Sequence, residues 1–440
     1  MTDISRGSSL DAITGTRGKA TRRSAGTRPS TRTATAARTP GWWHNVLHHP
    51  HSDAWMVASA VTLLVGIGLL MGLSSSSVYA QSTGNSPYYY AVRQAIFLVI
   101  GVPAALALAM LKQRLLEPLG WAAIAFAIVL LGLVFTPLGL DTKGNRAWLE
   151  LGPISLQPSE FAKVAVILWA AAVLSTKQKL LDQPKHLLVP LLPGALVVCG
   201  LVLLGGDLGT GMVLVGIVFL ILYLVGTPWL VLGALATAGA AIVGLLVVSS
   251  PNRMHRIMLF INPPEADDLS VSQQPLSAIY ALASGGWFGQ GLGASKQKWG
   301  GLYDGAQNDY VFAVLGEEMG LFGTLGVILL FTLLGFAGFR IATRSTTLFH
   351  RVLAGGLTGW LLLQAMINIA VAMKLLPVVG VPLPFISVGG SALLANLLAA
   401  GLLIACARHE PAAIAARSSA GGTAPRVTTV VQRGRASSRR

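Results

Sequence analysis

Charge is what this sequence has least of. Asp, Glu, Lys and Arg make up 11% of its 440 residues, against 53% hydrophobic residues and a mean hydropathy of +0.65. A soluble domain carries roughly a quarter charged residues. So few charges cannot cover a water-facing surface, which excludes an ordinary soluble enzyme and leaves a bilayer as the solvent. Cysteine is nearly absent as well. Cys199 and Cys406 both lie in apolar runs, which excludes a disulfide framework. No apolar run begins before about Trp55, so a cleavable signal peptide is not expected.

Acids are scarcer than bases, 17 against 32, for a net charge of +15. Such a balance suggests nucleic acid until it is located. Residues 1–52 hold eight of the cations (Arg6, Arg17, Lys19, Arg22, Arg23, Arg28, Arg32 and Arg38), and seven Arg follow from Arg408 to Arg440. Both tails are low-complexity, with no aromatic or base-reading motif, so nucleic acid is not an expected partner. They read as disordered, basic and cytoplasmic, held inside by their charge or drawn to anionic headgroups or a cytoplasmic protein. His44, His48, His49 and His51 could suggest a metal, but beside Trp42 and Trp43 they read as a solvated juxtamembrane segment.

Between the tails, 53–407 forms one membrane domain. Apolar stretches fall near 55–74, 91–111, 118–136, 158–176, 187–204, 211–226, 228–249, 310–340, 351–373 and 388–407. The pattern predicts an all-α polytopic membrane protein of about ten transmembrane helices. With both basic tails inside, the inside links carry Lys112 and Arg114, then Lys177, Lys179 and Lys185, then Arg340, Arg344 and Arg351. The first outside link, 75–90, carries no Lys or Arg. Two outside segments stand out. Residues 137–157 are short and polar. Residues 250–309, between helices seven and eight, form a large extracytoplasmic loop with a mildly apolar stretch near 276–288 that suggests a re-entrant or interfacial helix. A loop this long is usually functional. It also carries Arg253, Arg256, Lys296 and Lys298, against the positive-inside bias, as an anionic ligand would require.

Asp309 ends that loop, in Gln307-Asn308-Asp309-Tyr310. Its position suits either a helix cap or a general base at the membrane boundary, where partial desolvation raises a carboxylate pKa. Glu317 and Glu318 lie two turns deeper, and the bland account pairs them with Lys163 or Lys374. Glu160 and Lys163 share a helix face as a local ion pair or as part of a phosphate-binding wall. Arg146 and Trp148 could bind an anion and stack on a sugar, or simply anchor a loop. Asp207 sits at an outside turn. Gly289-Gln290-Gly291-Leu292-Gly293 lacks the strand and helix a nucleotide fingerprint needs. Pro382, Pro384 and Gly389-Gly390-Ser391 break the approach to the last helix, which is tolerated only beside protein or a wet cavity. At this level an enzyme and a transporter both remain open.

At these residues the chain resembles the SEDS family (shape, elongation, division and sporulation), the FtsW/RodA group, from about 55 to 407. The resemblance is carried by Gln157-Pro158-Ser159-Glu160 with Lys163; Asp207-Leu208-Gly209-Thr210; Asn262-Pro263; Ser284-Gly285-Gly286 through Gly291-Leu292-Gly293; Gln297-Lys298; Asp309-Tyr310-Val311-Phe312-Ala313 with Glu317-Glu318; and Pro377-Val378-Val379-Gly380 through Leu383-Pro384-Phe385-Ile386-Ser387 and Gly389-Gly390-Ser391. It implies a peptidoglycan glycosyltransferase that joins lipid II units into glycan strands outside the bacterial cytoplasmic membrane. Asp309 would be its catalytic carboxylate. Lys298, Gln297, Arg146, Trp148, Lys163, Glu160, Arg253, Arg256, Gln274, Asp207 and Ser387 would lie along the substrate path, with Glu317, Glu318 and Pro384 in support. A divalent cation (Mg2+ or Mn2+) could assist, although no spacing specifies a metal site. The implied partners are lipid II, the nascent glycan strand, a class B penicillin-binding protein of the division type, and further division proteins at the tails. The long tails favour the division branch, at the septum, over the elongation branch.

The sequence departs from the family pattern at several places. Arg146-Ala147-Trp148 separates a usual Arg-Trp pair, Gly205-Gly206 precedes Asp207, Gln307-Asn308 replaces His-Thr, Ser277 replaces a second loop Gln, and Lys374 replaces a small residue. A lipid II flippase, an elongation-type polymerase and a non-catalytic activator of the transpeptidase are the competing readings.

Overall fold

The computed structural model describes residues 49–142, 145–152, 154–178, 184–261, 273–302 and 305–421. The expected disorder of 1–48 and 422–440 and the Asn262-Pro263 motif lie outside the described residues.

The apolar runs form helices, as predicted. They are α1 (Ser52–Ser82), α2 (Tyr89–Met110), α3 (Gln113–Leu133), α4 (Pro158–Thr176), α5 (Pro184–Leu204), α6 (Leu208–Leu224), α7 (Trp229–Val248), α10 (Val311–Arg344), α11 (Leu348–Ala372) and α12 (Gly390–Arg408). Among the described residues nine are long and apolar enough to cross a membrane, and α6, with 17 residues, is the short tenth. At 1.5 Å per residue it reaches about 25 Å, close to the thickness of the hydrocarbon core. Burial ranks these helices. α4 is wrapped by α3, α5, α6, α11 and α12, and 83% of its span is buried, whereas for α7 the share is 6%. α7 is therefore exposed on nearly every side.

The long loop is not one open segment. Its described parts include α8 (Pro251–Ile261), α9 (Gln273–Ser284) and a 3-10 turn at Gln297–Trp299. α9 begins slightly before the apolar stretch that predicts it. The described residues of the 137–157 link form a small antiparallel sheet of β1 (Gly139–Thr142), β2 (Asn145–Leu151) and β3 (Ile154–Leu156), in that order. Leu140 faces Trp148 and Asp141 faces Arg146, with a register shift between Leu140 and Asp141. After α12, where composition predicts no element, a short α13 (Pro411–Gly421) follows.

α10 is broken at Gly320, whose φ of 68° and ψ of −163° are non-helical and open essentially to glycine alone. The groups freed by the break find partners in the loop after α9. Gln290 and Gly291 donate to the carbonyls of Glu317 and Glu318, at 2.9 and 3.1 Å, while the amides of Leu321 and Phe322 donate to Gly286 and Trp287, at 2.9 and 3.2 Å. A half-helix, 311–319, therefore begins beside Asp309 and is held by a loop docked into the gap. Irregular backbone inside a span needs such satisfaction.

At the other end of the bundle α1, α10 and the α12–α13 junction meet. Arg340 Nε lies 2.9 Å and Arg344 Nη1 3.3 Å from the Asp53 carboxylate, and the buried Glu410 lies beside it.

Candidate active site

Asp309 is half-buried at the mouth of the bundle. The N-cap position of α10 belongs to Tyr310, one residue on, so Asp309 does not stand where a capping carboxylate stands. Its backbone is fixed rung by rung. The Val388 amide donates to the Gln307 carbonyl at 3.0 Å. Ser387 Oγ donates to Asn308 O at 2.7 Å, and Asn368 Nδ2 donates to Asp309 O at 3.1 Å. The amides of Asp309 and Tyr310 both donate to the Gly305 carbonyl. Tyr310 is fully buried, and among the described residues its hydroxyl has no hydrogen-bond partner. Burial pushes its phenol well above the ordinary value, the Asp309 charge adds to that, and the Arg256 guanidinium opposes it. Asp309, Tyr310 and the exposed Arg256 thus share one electrostatic neighbourhood. Gln274 reaches the same place, since a side chain at Gly305 would meet Tyr310 at 3.0 Å and Gln274 Oε1 at 3.6 Å.

The 374–389 segment is the platform under Asp309. It is extended and bent, with Lys374 at φ 55° and Phe385 at φ 66°. A positive φ explains why a small residue suits position 374. The Phe385 carbonyl rests against Gly68 of α1, where a Cβ would strike it. α11 supplies the other supports. Gln364 Nε2 donates to Pro382 O at 2.9 Å and Asn368 Nδ2 to Val381 O at 2.9 Å. Pro384 is buried within this platform, and Ser387 is turned into it, accepting from the Leu383 amide at 2.8 Å.

The remaining charged residues fall into three groups. Glu160 and Lys163, each 1% exposed, pair at 2.8 Å. Lys163 also donates to Gln364 Oε1 at 2.9 Å and lies 5.1 Å from the Trp360 ring centroid. Their charges are spent on each other inside the bundle. Lys298 likewise turns inward, 3.0 Å from Glu318 Oε1, with further bonds to Ser74 Oγ and Gly293 O. Glu317 accepts from Ser295 Oγ at 2.6 Å and from the amides of Lys296 and Gln297, at 2.9 and 3.4 Å. The expected pairing of Glu317 and Glu318 with Lys163 or Lys374 is therefore corrected. Glu318 takes Lys298, because the loop that fills the break in α10 carries that lysine down beside it, and Glu317 takes the 3-10 turn.

Asp207 caps α6, accepting from the Thr210 amide at 2.9 Å, and its other oxygen accepts from Gln157 Nε2 and Ser159 Oγ. Arg253 donates to the carbonyls of Leu246 and Gly206, at 3.1 Å each, tying α8 to the turn before α6. Arg146 stays about half exposed, 3.8 Å from Asp141. Trp148 and Gln297 are half-buried. Among the candidate cations, Arg256 and Arg146 face water, while Lys163 and Lys298 do not.

Asn368, Gln364, Trp360 and Ser74 escaped sequence reasoning. Buried Asn and Gln in a span are costly unless bonded, and that cost is the signal that could have found them. Among the described residues no three His, Cys, Asp or Glu converge as metal ligands. A groove of about 760 Å3 is apolar. It runs along α10 and α11 past Phe331, Phe336, Leu362 and Met366 to Arg340, away from Asp309.

Residues 54–412 match the family described as "Cell cycle protein", FtsW/RodA/SpoVE. A Mycobacterium tuberculosis protein named "Probable peptidoglycan glycosyltransferase FtsW" is 35% identical over 372 residues, 84% of this chain and 70% of its own. "Stage V sporulation protein E" of Bacillus subtilis is 37% identical over 352 residues, 79% of this chain and 95% of its own. Among solved structures, a chain of a complex described under "Structural coordination of polymerization and crosslinking by a peptidoglycan synthase complex" superposes with a TM-score of 0.66 at 28% identity, covering 80% of this chain and 97% of its own. The rod shape determining protein RodA of Thermus thermophilus gives 0.59 at 28% identity, covering 81% and 97%. The ten-helix bundle, the broken α10 behind Asp309 and these likenesses have one reading: the chain belongs to the FtsW/RodA/SpoVE family.

Proposed function

We propose that this protein is a peptidoglycan glycosyltransferase that polymerises lipid II at the outer face of the cytoplasmic membrane, in cell division. The family supports the class of reaction, and one observation carries the mechanism: a half-buried carboxylate, Asp309, whose backbone is held in place by hydrogen bonds from Asn368 and the neighbouring segment. A fixed, partly desolvated carboxylate is what a general base requires.

Asp309 takes the proton from the 4-hydroxyl of the acceptor's N-acetylglucosamine. The freed oxygen attacks the anomeric carbon of the donor's N-acetylmuramic acid, and the bond from that carbon to the pyrophosphate breaks with inversion. The undecaprenyl pyrophosphate leaves with the electron pair. Arg256 and Arg146, the candidate cations open to water, would offset its charge. Lys163 and Lys298 act one layer back, as buried partners of Glu160 and Glu318. The working partner is a class B penicillin-binding protein. The basic tails lie on the cytoplasmic side, where division proteins dock, and the protein works at the septum.

The test is glycan polymerisation from purified lipid II by the protein with its transpeptidase partner. Asp309→Ala should abolish polymer while folding and partner binding persist. A near-normal rate from Asp309→Ala would refute the base assignment. Movement of lipid II across vesicles without polymer would establish the flippase reading instead.

A further inference from the structure

We propose that Asn368, buried near the C-terminal end of α11, is the positioning residue for the reaction at Asp309. Its one amide nitrogen bridges two backbone segments, donating to Asp309 O at 3.1 Å and to Val381 O at 2.9 Å. Asn368 is 1% exposed, so it touches neither substrate nor solvent. Whatever it does for the reaction, it does through the backbone it holds.

Three observations make this more than a packing contact. First, the bond lies on the reacting residue itself, one residue's backbone away from the carboxylate that takes the proton. Second, it is the last of three successive rungs, since the carbonyls of Gln307, Asn308 and Asp309 are each taken by a different donor (the Val388 amide, Ser387 Oγ and Asn368 Nδ2). Two rungs come from the 387–388 stretch, and that stretch belongs to the platform that Asn368 also holds, at Val381. Third, among the described residues Asn368 Oδ1 has no hydrogen-bond partner. A buried amide with an orphaned oxygen costs stability, so a residue chosen for packing alone would be apolar. The amide has a reason to be there only if its two donors matter more than its stranded acceptor.

The geometry therefore makes α11 the reference against which Asp309 is aimed. One side chain sets the height of the 307–309 backbone and of the loop beneath it together, so the two cannot slip relative to each other. Misplacement of a reacting group by about 1 Å costs on the order of 100-fold in rate.

This inference rests on Asp309 being the base, and the test keeps the two claims apart. Asn368→Leu preserves the approximate volume, removes both donors and removes the orphaned oxygen. With purified protein, partner and lipid II, its kcat should fall about 30- to 100-fold while KM for lipid II stays within about twofold, because uniform substrate binding is untouched. Leu361→Ala, on the same helix, removes fully buried volume without a hydrogen bond to 307–309. It should lower thermal stability and leave kcat within about threefold. Ser387→Ala, which deletes the middle rung, should give a smaller fall in kcat, again at constant KM, and serves if Asn368→Leu does not fold.

A normal kcat for Asn368→Leu, or for Ser387→Ala where Asn368→Leu is unfolded, would overturn the proposal. So would a rise in KM at constant kcat, or an equal loss of kcat in Leu361→Ala. If Asp309→Ala itself polymerises, the function assignment has failed. If Asp309→Ala is dead and Asn368→Leu is normal, only the positioning claim has failed.

Discussion

Lys298 and Glu318 are buried to 3% and 0% exposure and lie 3.0 Å apart. Removing one member leaves the other charged, desolvated and uncompensated, which costs about 3–5 kcal/mol. Lys298→Met strands Glu318 with the Ser74 hydroxyl, 2.6 Å from Oε1, and the Ser295 amide as its remaining donors. Glu318→Gln strands the ammonium with Ser74 Oγ and the Gly293 carbonyl. Each single variant should therefore lose about 3–5 kcal/mol, an apparent thermal midpoint lower by about 5–15 °C. The double variant has no charge left to strand and should return to within about 2 kcal/mol of the parent, so the coupling energy is several kcal/mol. The assay is thermal unfolding of the purified protein in detergent, followed by polymerisation of lipid II by each variant. Additive losses would refute the reasoning. A double variant that is stable yet inactive would show instead that the lysine charge serves the pyrophosphate.

Two further perturbations bear on the rest of the molecule. Gly320→Ala must place a Cβ at φ 68°, ψ −163°, which costs about 1–3 kcal/mol; differential scanning fluorimetry should show the loss although alanine is the better helix former, and an unchanged midpoint would contradict the break in α10. The Glu410 carboxyl is pushed up to about 7, first by burial and then by the Asp53 charge, against Arg344 and Arg340. The folded protein thus holds a proton that the unfolded chain releases at an ordinary carboxyl value, and stability should fall as pH rises from about 4.5 to 7. Glu410→Gln should gain up to about 3 kcal/mol at pH 8 and nothing at pH 4, read as thermal midpoints across that range; an equal effect at both would refute it.

The ten spans were legible because a bilayer demands long apolar runs and the sequence supplies them nearly without interruption. Glu160 and Lys163 were legible as a pair because a helix brings positions three apart onto one face. Lys298 and Glu318 were not, since only the docking of the loop into the broken helix joins them. The break itself was hidden. Glu317 and Glu318 precede Gly320 and an apolar run follows it, but the carbonyls freed by the break are taken by amides 290 and 291, which are distant in sequence. The sheet at 139–156 has strands of 4, 7 and 3 residues, too short for alternation to rise above a polar link. Asp309 was legible as a candidate but its supports were not, because Asn368 and Gln364 sit inside an apolar helix and their partners are backbone carbonyls, which leave no mark in a sequence.

The break in α10 separates two mechanical tasks that a continuous helix would have to combine. The portion after Gly320 spans the bilayer, and it must tilt when the membrane thins or thickens, as any span does. A continuous ladder of hydrogen bonds would carry that tilt up to Asp309. Here the ladder stops, and the half-helix beside the carboxylate is braced sideways, by the docked loop and by Glu317 and Glu318 on the turn at 295–298. The chain has put a joint in its own lever arm, between the span and the half-helix that begins beside Asp309.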